Sequence, residues 1–348
     1  SLVYEVLWLR ELILILGSTL FATSAVLSSF MGGLAAGSFA AGRLADRRAL
    51  SPLRVYGFLE IGIGLFALVV PWLFRGLTPL FAAVWDAGAS GSYLGFSLAK
   101  VAGTLVVLLP PTFLMGASLP VLARQVADDP ERIGGSVGWL YAVNTFGAVA
   151  GTYVAGFLAI PALGVRATSW ATAAVNVSIG IAAIALSRVA ARPARAGGER
   201  TSARPSTSRT RLALAVFASS GFVAMVLEVA WTRGLSLILG SSVYAFSLML
   251  IAFLIGLAAG SAAVAAWLRR RPGVDLGSVL AVLLGAAGLL AYATAFLFQA
   301  MPRLFGEIYF RGGLGPAGWF AVPFLFGLAI MFPATFASGG IFPVVLQM

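Results

Sequence analysis

Cysteine and histidine are both absent from this sequence of 348 residues. Disulfides, thiolate nucleophiles, imidazole bases and nearly all transition-metal sites are therefore excluded. Lysine is almost absent as well, Lys100 being the single one, and only 10% of the residues are charged. No glycine-rich nucleotide loop bounded by a strand occurs, because the glycines between 32 and 42 lie in an apolar run. No metal and no cofactor is expected in this segment.

What is present is apolar. Hydrophobic residues make up 60% of the chain, far more than a water-soluble domain of this length carries. The runs are continuous rather than alternating, so they read as helices that satisfy their own backbone in lipid, not as strands of a barrel. Spans of about 20 residues, enough for roughly 30 Å of hydrocarbon, are predicted at 20–42, 53–74, 96–121, 137–160 and 167–186. In the second half they are predicted at 212–231, 243–268, 276–298 and from 319 onward. Polar loops are expected at 75–95, around Trp85 and Asp86, and at 301–317, with a tight turn at Pro161 to Gly164. The chain thus divides into a first transmembrane region at 1–187, a basic arginine-rich linker at 188–211 and a second transmembrane region at 212–348. The net charge of +11 is concentrated in alternate loops, which the positive-inside rule places in the cytoplasm together with the linker. Nucleic acid is not an expected partner; a lipid bilayer is, and the arginine-rich and alanine-rich composition fits a bacterial inner membrane.

The two halves repeat. Tyr4-Glu-Val-Leu-Trp-Leu-Arg10 with Leu14-Ile-Leu-Gly-Ser18 returns as Leu227-Glu-Val-Ala-Trp-Thr-Arg233 with Leu237-Ile-Leu-Gly-Ser241. At the same shift of 223 positions, Gly33-Leu-Ala-Ala-Gly-Ser38 returns as Gly256-Leu-Ala-Ala-Gly-Ser261, and Pro110, Thr112, Phe113, Gly116 and Pro120 return as Pro333, Thr335, Phe336, Gly339 and Pro343. A constant offset over more than a hundred residues marks an internal repeat. In this register residue 1 falls inside the first helix of the unit, and the second unit lacks counterparts of the two helices between 137 and 186. The expected fold is therefore all-α: a polytopic transmembrane bundle of two parallel six-helix repeats, the first helix truncated and the second repeat incomplete. It resembles the major facilitator transporters, whose halves are related about an axis along the membrane normal.

Several residues stand out against the apolar background. Gly33 with Gly37, and Gly256 with Gly260, place two small residues on one helix face for close packing, and Gly147 with Gly151 reads the same way. Gly42-Arg-Leu-Ala-Asp46-Arg47-Arg48 resembles the loop between the second and third helices of major facilitator proteins, where the acid and the arginines tie helix ends together. Pro120 and Pro343 interrupt long apolar runs, as kinks or as gating bends. Glu5 and Glu228 each precede Trp by three positions and Arg by five. They read as helix-end acids near the outer surface, with Trp8 and Trp231 at the interface, either neutralised by Arg10 and Arg233 or attracting a cation. Glu60 has no counterpart, since Leu283 stands in its place, and an intramembrane acid requires a partner or a polar cavity. Lys100 is a candidate disfavoured by depth. Asn144 reads as a buried amide bonded to a neighbouring helix.

The string Tyr4-Glu-x-x-Trp-x-Arg10, Leu16-Gly-Ser18, the Gly33/Gly37 helix, Gly116-Ala-Ser118 before Pro120, and Leu140-Tyr-Ala-Val-Asn-Thr-Phe-Gly-Ala-Val-Ala-Gly151 resembles the membrane region of bacterial spermidine-synthase-like proteins, in which facilitator-like helices are fused to a soluble domain. The resemblance implies a C-terminal nucleotide-binding domain, similar to polyamine aminopropyltransferases, that is missing here. This segment contains no catalytic motif of its own, so whether the parent is an enzyme stays open. Three roles follow as alternatives: a membrane domain that anchors, supplies or drains such an enzyme; a facilitator-type transporter of an unidentified small solute; or a structural anchor. If the helices handle a polyamine or another cationic small molecule, Glu5, Arg10, Glu60, Glu228, Arg233 and Asn144 are the candidate binding residues.

Overall fold

A computed structural model describes residues 1–17, 19–44, 51–86, 92–126, 133–189, 207–240, 242–271, 273–312 and 316–348. The described residues are almost wholly helical and contain no strand. They form two compact units, Ser1–Arg195 and Ala196–Met348. Among the described residues eight stretches are long and apolar enough to cross a membrane, the architecture of a multi-pass membrane protein.

The first unit holds α1 (Leu2–Leu16), α2 (Thr19–Leu44), α3 (Pro52–Asp86), α4 (Tyr93–Val126), α5 (Ile133–Tyr153) and α6 (Ile160–Val189). A wide π-helical turn, Val154–Ala159, joins α5 to α6. Where a tight turn is expected at Pro161 to Gly164, α6 is kinked at Gly164, whose φ of 77° and ψ of 168° break the helix in a conformation that a side chain would oppose. Helix α2 packs along α4, α3 lies between α4 and α6, and α1 touches α2, α3, α5 and α6. The second unit holds α7 (Thr207–Leu239), α8 (Ser242–Arg270), α9 (Leu276–Gly312) and α10 (Pro316–Gln347), with α10 against α7, α8 and α9.

Several helices are longer than their hydrophobic runs predict. Helix α3 has 35 residues and α9 has 37, or about 52 and 55 Å at 1.5 Å per residue. They therefore overhang a hydrocarbon layer of roughly 30 Å. Much of the expected loops at 75–95 and 301–317 is helix instead; Trp85, in the last turn of α3, packs edge-to-face on Phe96, with ring centroids 4.9 Å apart. The expected linker is shortened from both sides, since α6 runs to Val189 and α7 starts at Thr207; residues 190–206 lie outside the described residues, as do Asp46 and Arg47.

The small-residue motifs are where helices come closest. A Cβ added at Gly33 would overlap the Thr112 side chain, and one at Gly37 would overlap the Phe113 carbonyl, both on α4. In the second unit Gly256 faces Thr335 and Gly260 faces the Phe336 carbonyl, both on α10. The approach is reciprocal, since Gly116 faces the backbone of Leu34 and Gly339 that of Leu257. Gly147 is different: among the described residues nothing stands within 4 Å of its would-be Cβ, so they form no close helix-helix seam at the Gly147/Gly151 pair. Only Gly151 meets a neighbour, the Val3 side chain at 3.2 Å.

Proline positions are accommodated within continuous helices. Pro120 lies inside α4 and Pro343 inside α10. Because Pro120 has no N–H, the Gly116 carbonyl loses its partner four residues ahead, and the Ser38 hydroxyl of α2 donates to it at 2.8 Å. A side chain from the next helix thus restores the bond, as lipid surroundings require.

Candidate functional site

Glu5, in the first turn of α1, and Glu228, well inside α7, are both buried. Glu5 is 0% and Glu228 1% exposed. Glu5 lies eleven residues before Leu16, the end of α1, and Glu228 lies eleven before Leu239, the end of α7. At 1.5 Å per residue that is about 16 Å before the C-terminal end of each helix, so neither acid is at that end, where the sequence suggests it. Each helix ends on a left-handed glycine, Gly17 with φ 68° and Gly240 with φ 65°.

The tryptophans are not interfacial either. Trp8 is 1% and Trp231 3% exposed. Trp8 stacks on Tyr4 at 5.3 Å and leans on Phe30 at 5.6 Å, while the Trp231 indole N–H donates to the Thr294 hydroxyl at 3.0 Å. Interior packing and a hydrogen bond claim these rings before the membrane surface can.

Arg10 and Arg233 are exposed. Neither carboxylate oxygen of Glu5 has a hydrogen-bond partner among the described residues, so Arg10 does not neutralise it. The reason is angular: residues five apart stand about 140° apart around a helix, on different faces. Asn144, expected to be buried, is exposed on α5.

Glu60 has the most developed surroundings. It is 8% exposed, eight residues into α3. Asn176 of α6 donates its Nδ2 to Glu60 Oε2 at 2.8 Å, and the Tyr56 hydroxyl, one turn earlier on α3, bonds the same carboxylate. Tyr4 of α1 lies within electrostatic reach of Glu60, and its buried hydroxyl has no partner among the described residues. Glycines let the helices close here: Gly57 faces the Gly180 carbonyl and Gly64 the Ala173 carbonyl, both on α6. Lys100 is elsewhere, with its Nζ 3.5 Å from the Leu16 carbonyl and 4.6 Å from the centre of the Phe96 ring.

Tyr4, Tyr56 and Asn176 were not among the residues expected from sequence. Tyr56 was accessible as the residue four before Glu60, on the same face; Asn176, an amide in an otherwise apolar and small-residue run, carried the signal that had been given to Asn144. Glu11 was also missed. It lies in the fields of Arg75 and Arg166, which gathers three charges from α1, α3 and α6. In the second unit a cavity of about 380 Å³ opens between α7, α9 and α10, lined by Leu227, Leu284, Ala287 and Ile341 with Ser219 and Ser338 among them. Among the described residues no group of three or more acidic side chains could hold a metal ion.

Comparison of the chain with family models, with curated proteins and with solved structures returns no match.

Proposed function

We propose that the chain is a membrane domain that handles a cationic small molecule, a polyamine in the first instance, across or within a bacterial inner membrane. The observation that carries this is the pair of acids, Glu5 and Glu228, buried eleven residues before the C-terminal ends of α1 and α7. A buried carboxylate in a membrane span is costly, and packing alone does not call for one at the same position of a repeated motif, where a leucine would fill the space. Glu60, held by Asn176, adds a third acid in the first unit only.

In this reading the two units are parallel repeats arranged as in facilitator-type transporters, with the linker in the cytoplasm. The matching approaches of Gly33 and Gly37 to α4 and of Gly256 and Gly260 to α10 support it, as do the matching ends of α1 and α7. The parent polypeptide would carry an aminopropyltransferase-like domain that these helices anchor and supply or drain. Reading the parent gene past the codon for Met348 tests that part: two further helices followed by a nucleotide-binding domain are expected, and a stop codon after the twelfth helix contradicts it. A facilitator-type transporter acting without such a domain is the second reading, favoured by the absence of any catalytic motif in the segment.

Transport is tested directly in reconstituted vesicles. Wild-type protein should move labelled putrescine or spermidine, and Glu228→Gln and Glu60→Gln should each lower the rate at least about tenfold, the cost of roughly 1.4 kcal/mol of lost interaction. No flux with wild-type protein would remove transport; undiminished flux in both variants would remove the acids from the pathway.

A further inference from the structure

Two arginines of the first unit stand where its apolar runs stop. Arg75 directly follows the predicted span 53–74, and Arg166 directly precedes the predicted span 167–186. Both are exposed. The register of α3 on α6 brings them to one place. Gly57 faces Gly180 and Ile184, and Gly64 faces Ala173 and Val177, so the two helices run antiparallel. Five turns of helix take about 18 residues. Arg75 lies that distance after Gly57 and Arg166 the same distance before Ile184, with helix throughout both stretches. Each arginine therefore returns to the face that carries the Gly57–Ile184 contact, at the same level of the helix pair.

Each guanidinium also lies beside an outward-facing indole. The Arg75 Cζ is 5.0 Å from the centre of the Trp72 ring, and the Arg166 Cζ is 5.6 Å from that of Trp170, both within cation–π range. Trp72 is 63% and Trp170 55% exposed. Trp72 comes before Arg75 on a helix leaving the membrane and Trp170 after Arg166 on a helix entering it, so both rings stand about one turn nearer the membrane centre than their arginines. That is the layering of a phospholipid, with charge outermost and the glycerol and first methylenes beneath it. Glu11 of α1 lies in the field of both arginines. Its Oε2 has no hydrogen-bond partner among the described residues, and one carboxylate against two guanidiniums leaves the end of the seam positive.

We propose that Arg75 and Arg166, with Trp72 and Trp170, form a binding site for an anionic phospholipid at the end of the α3–α6 seam, on the membrane face away from Arg43 in the last turn of α2. The two guanidinium forks match the oxygens of the headgroup phosphate, and the indoles take the glycerol and the start of the acyl chains, the level at which tryptophan is favoured. The second unit does not repeat the site. At the shift of 223 positions, Trp72 and Arg75 are replaced by Ala295 and Phe298. The site stands whether or not the helices move a cation.

The test is photolabelling of the full chain in phosphatidylcholine vesicles doped with a phosphatidylglycerol that carries a diazirine near the start of one acyl chain. After irradiation and digestion, mass spectrometry should find the label in the peptides that hold Trp72 with Arg75 and Arg166 with Trp170. Arg75→Gln and Arg166→Gln should each lower that labelling about fivefold, the effect of one basic side chain near an anionic lipid. Arg75→Lys, which keeps the charge but not the fork, should lower it about twofold and decides the matter if the glutamine variants fail to fold. Arg54→Gln, at the other end of α3, should leave it unchanged. A phosphatidylcholine with the same diazirine should label these peptides weakly, and excess glycerol phosphate, which has no acyl chain, should not compete. Equal labelling by the two lipids, indifference to all three substitutions at Arg75 and Arg166, or full competition by glycerol phosphate would overturn the proposal, the last by showing a site for a free anion.

Discussion

Replacing Gly37 by alanine is expected to cost about 3 kcal/mol or more of stability, and Gly260→Ala a similar amount. At both positions the added methyl would occupy space held by the backbone carbonyl of a neighbouring helix, Phe113 for Gly37 and Phe336 for Gly260. Backbone cannot rotate away as a side chain can, so α2 must move off α4, or α8 off α10, and the rest of each seam moves with it. Overpacking of this kind costs about 1–3 kcal/mol where side chains yield, and more where they cannot. The loss also removes the contact of the glycine Cα–H with the carbonyl, a weak bond typical of close helix pairs. Gly147→Ala provides the contrast. Among the described residues nothing stands within 4 Å of its would-be Cβ, and alanine favours a helix by about 1 kcal/mol over glycine, so that variant should be neutral or slightly stabilised. Thermal unfolding of the purified protein in one detergent, followed by circular dichroism, compares all three. Equal melting temperatures would show that the seams do not hold the units together.

Trp8→Ala is expected to cost about 3 kcal/mol, at the lower end of what such truncations cost in water-soluble cores. The ring is 1% exposed between Tyr4 and Phe30, and its removal leaves a cavity that both neighbours line. In a membrane the reference solvent for that surface is lipid, so little hydrophobic transfer energy is lost; the cost comes from forfeited packing contacts. Trp72, 63% exposed on α3, loses few contacts, and Trp72→Ala should change stability by less than about 0.5 kcal/mol. The same melts distinguish the two. If Trp72→Ala proved the more damaging, Trp8 would be the surface residue that its sequence context suggested.

That suggestion shows where sequence reasoning reaches and where it stops. The membrane spans were legible because lipid demands continuous apolar helices, and the glycine seams were legible because only small residues permit backbone contact. The ends of α3 and α9 were not, since residues that overhang the hydrocarbon layer, such as Arg75, Trp85 and Arg303, are as polar as a loop. Trp8 and Trp231 were misplaced because an amphipathic ring serves equally at an interface and in a core. The failure of Arg10 to meet Glu5 was available in advance from the helical period. The partner of Glu60 was not: Asn176 is 116 positions away, and only the packing of α3 on α6 brings the two together.

The proposal that the chain consists of two like units inserted into the membrane in the same direction has a simple decisive measurement, because the chain lacks cysteine. Single cysteines at Arg43, at the end of α2, at Arg271, just past the end of α8, and at Ser92, before α4, are labelled in sealed vesicles with a membrane-impermeant maleimide. Arg43→Cys and Arg271→Cys should react from the same side and Ser92→Cys from the other. Reaction of Arg43→Cys and Arg271→Cys from opposite sides, or of all three from one side, would contradict the account.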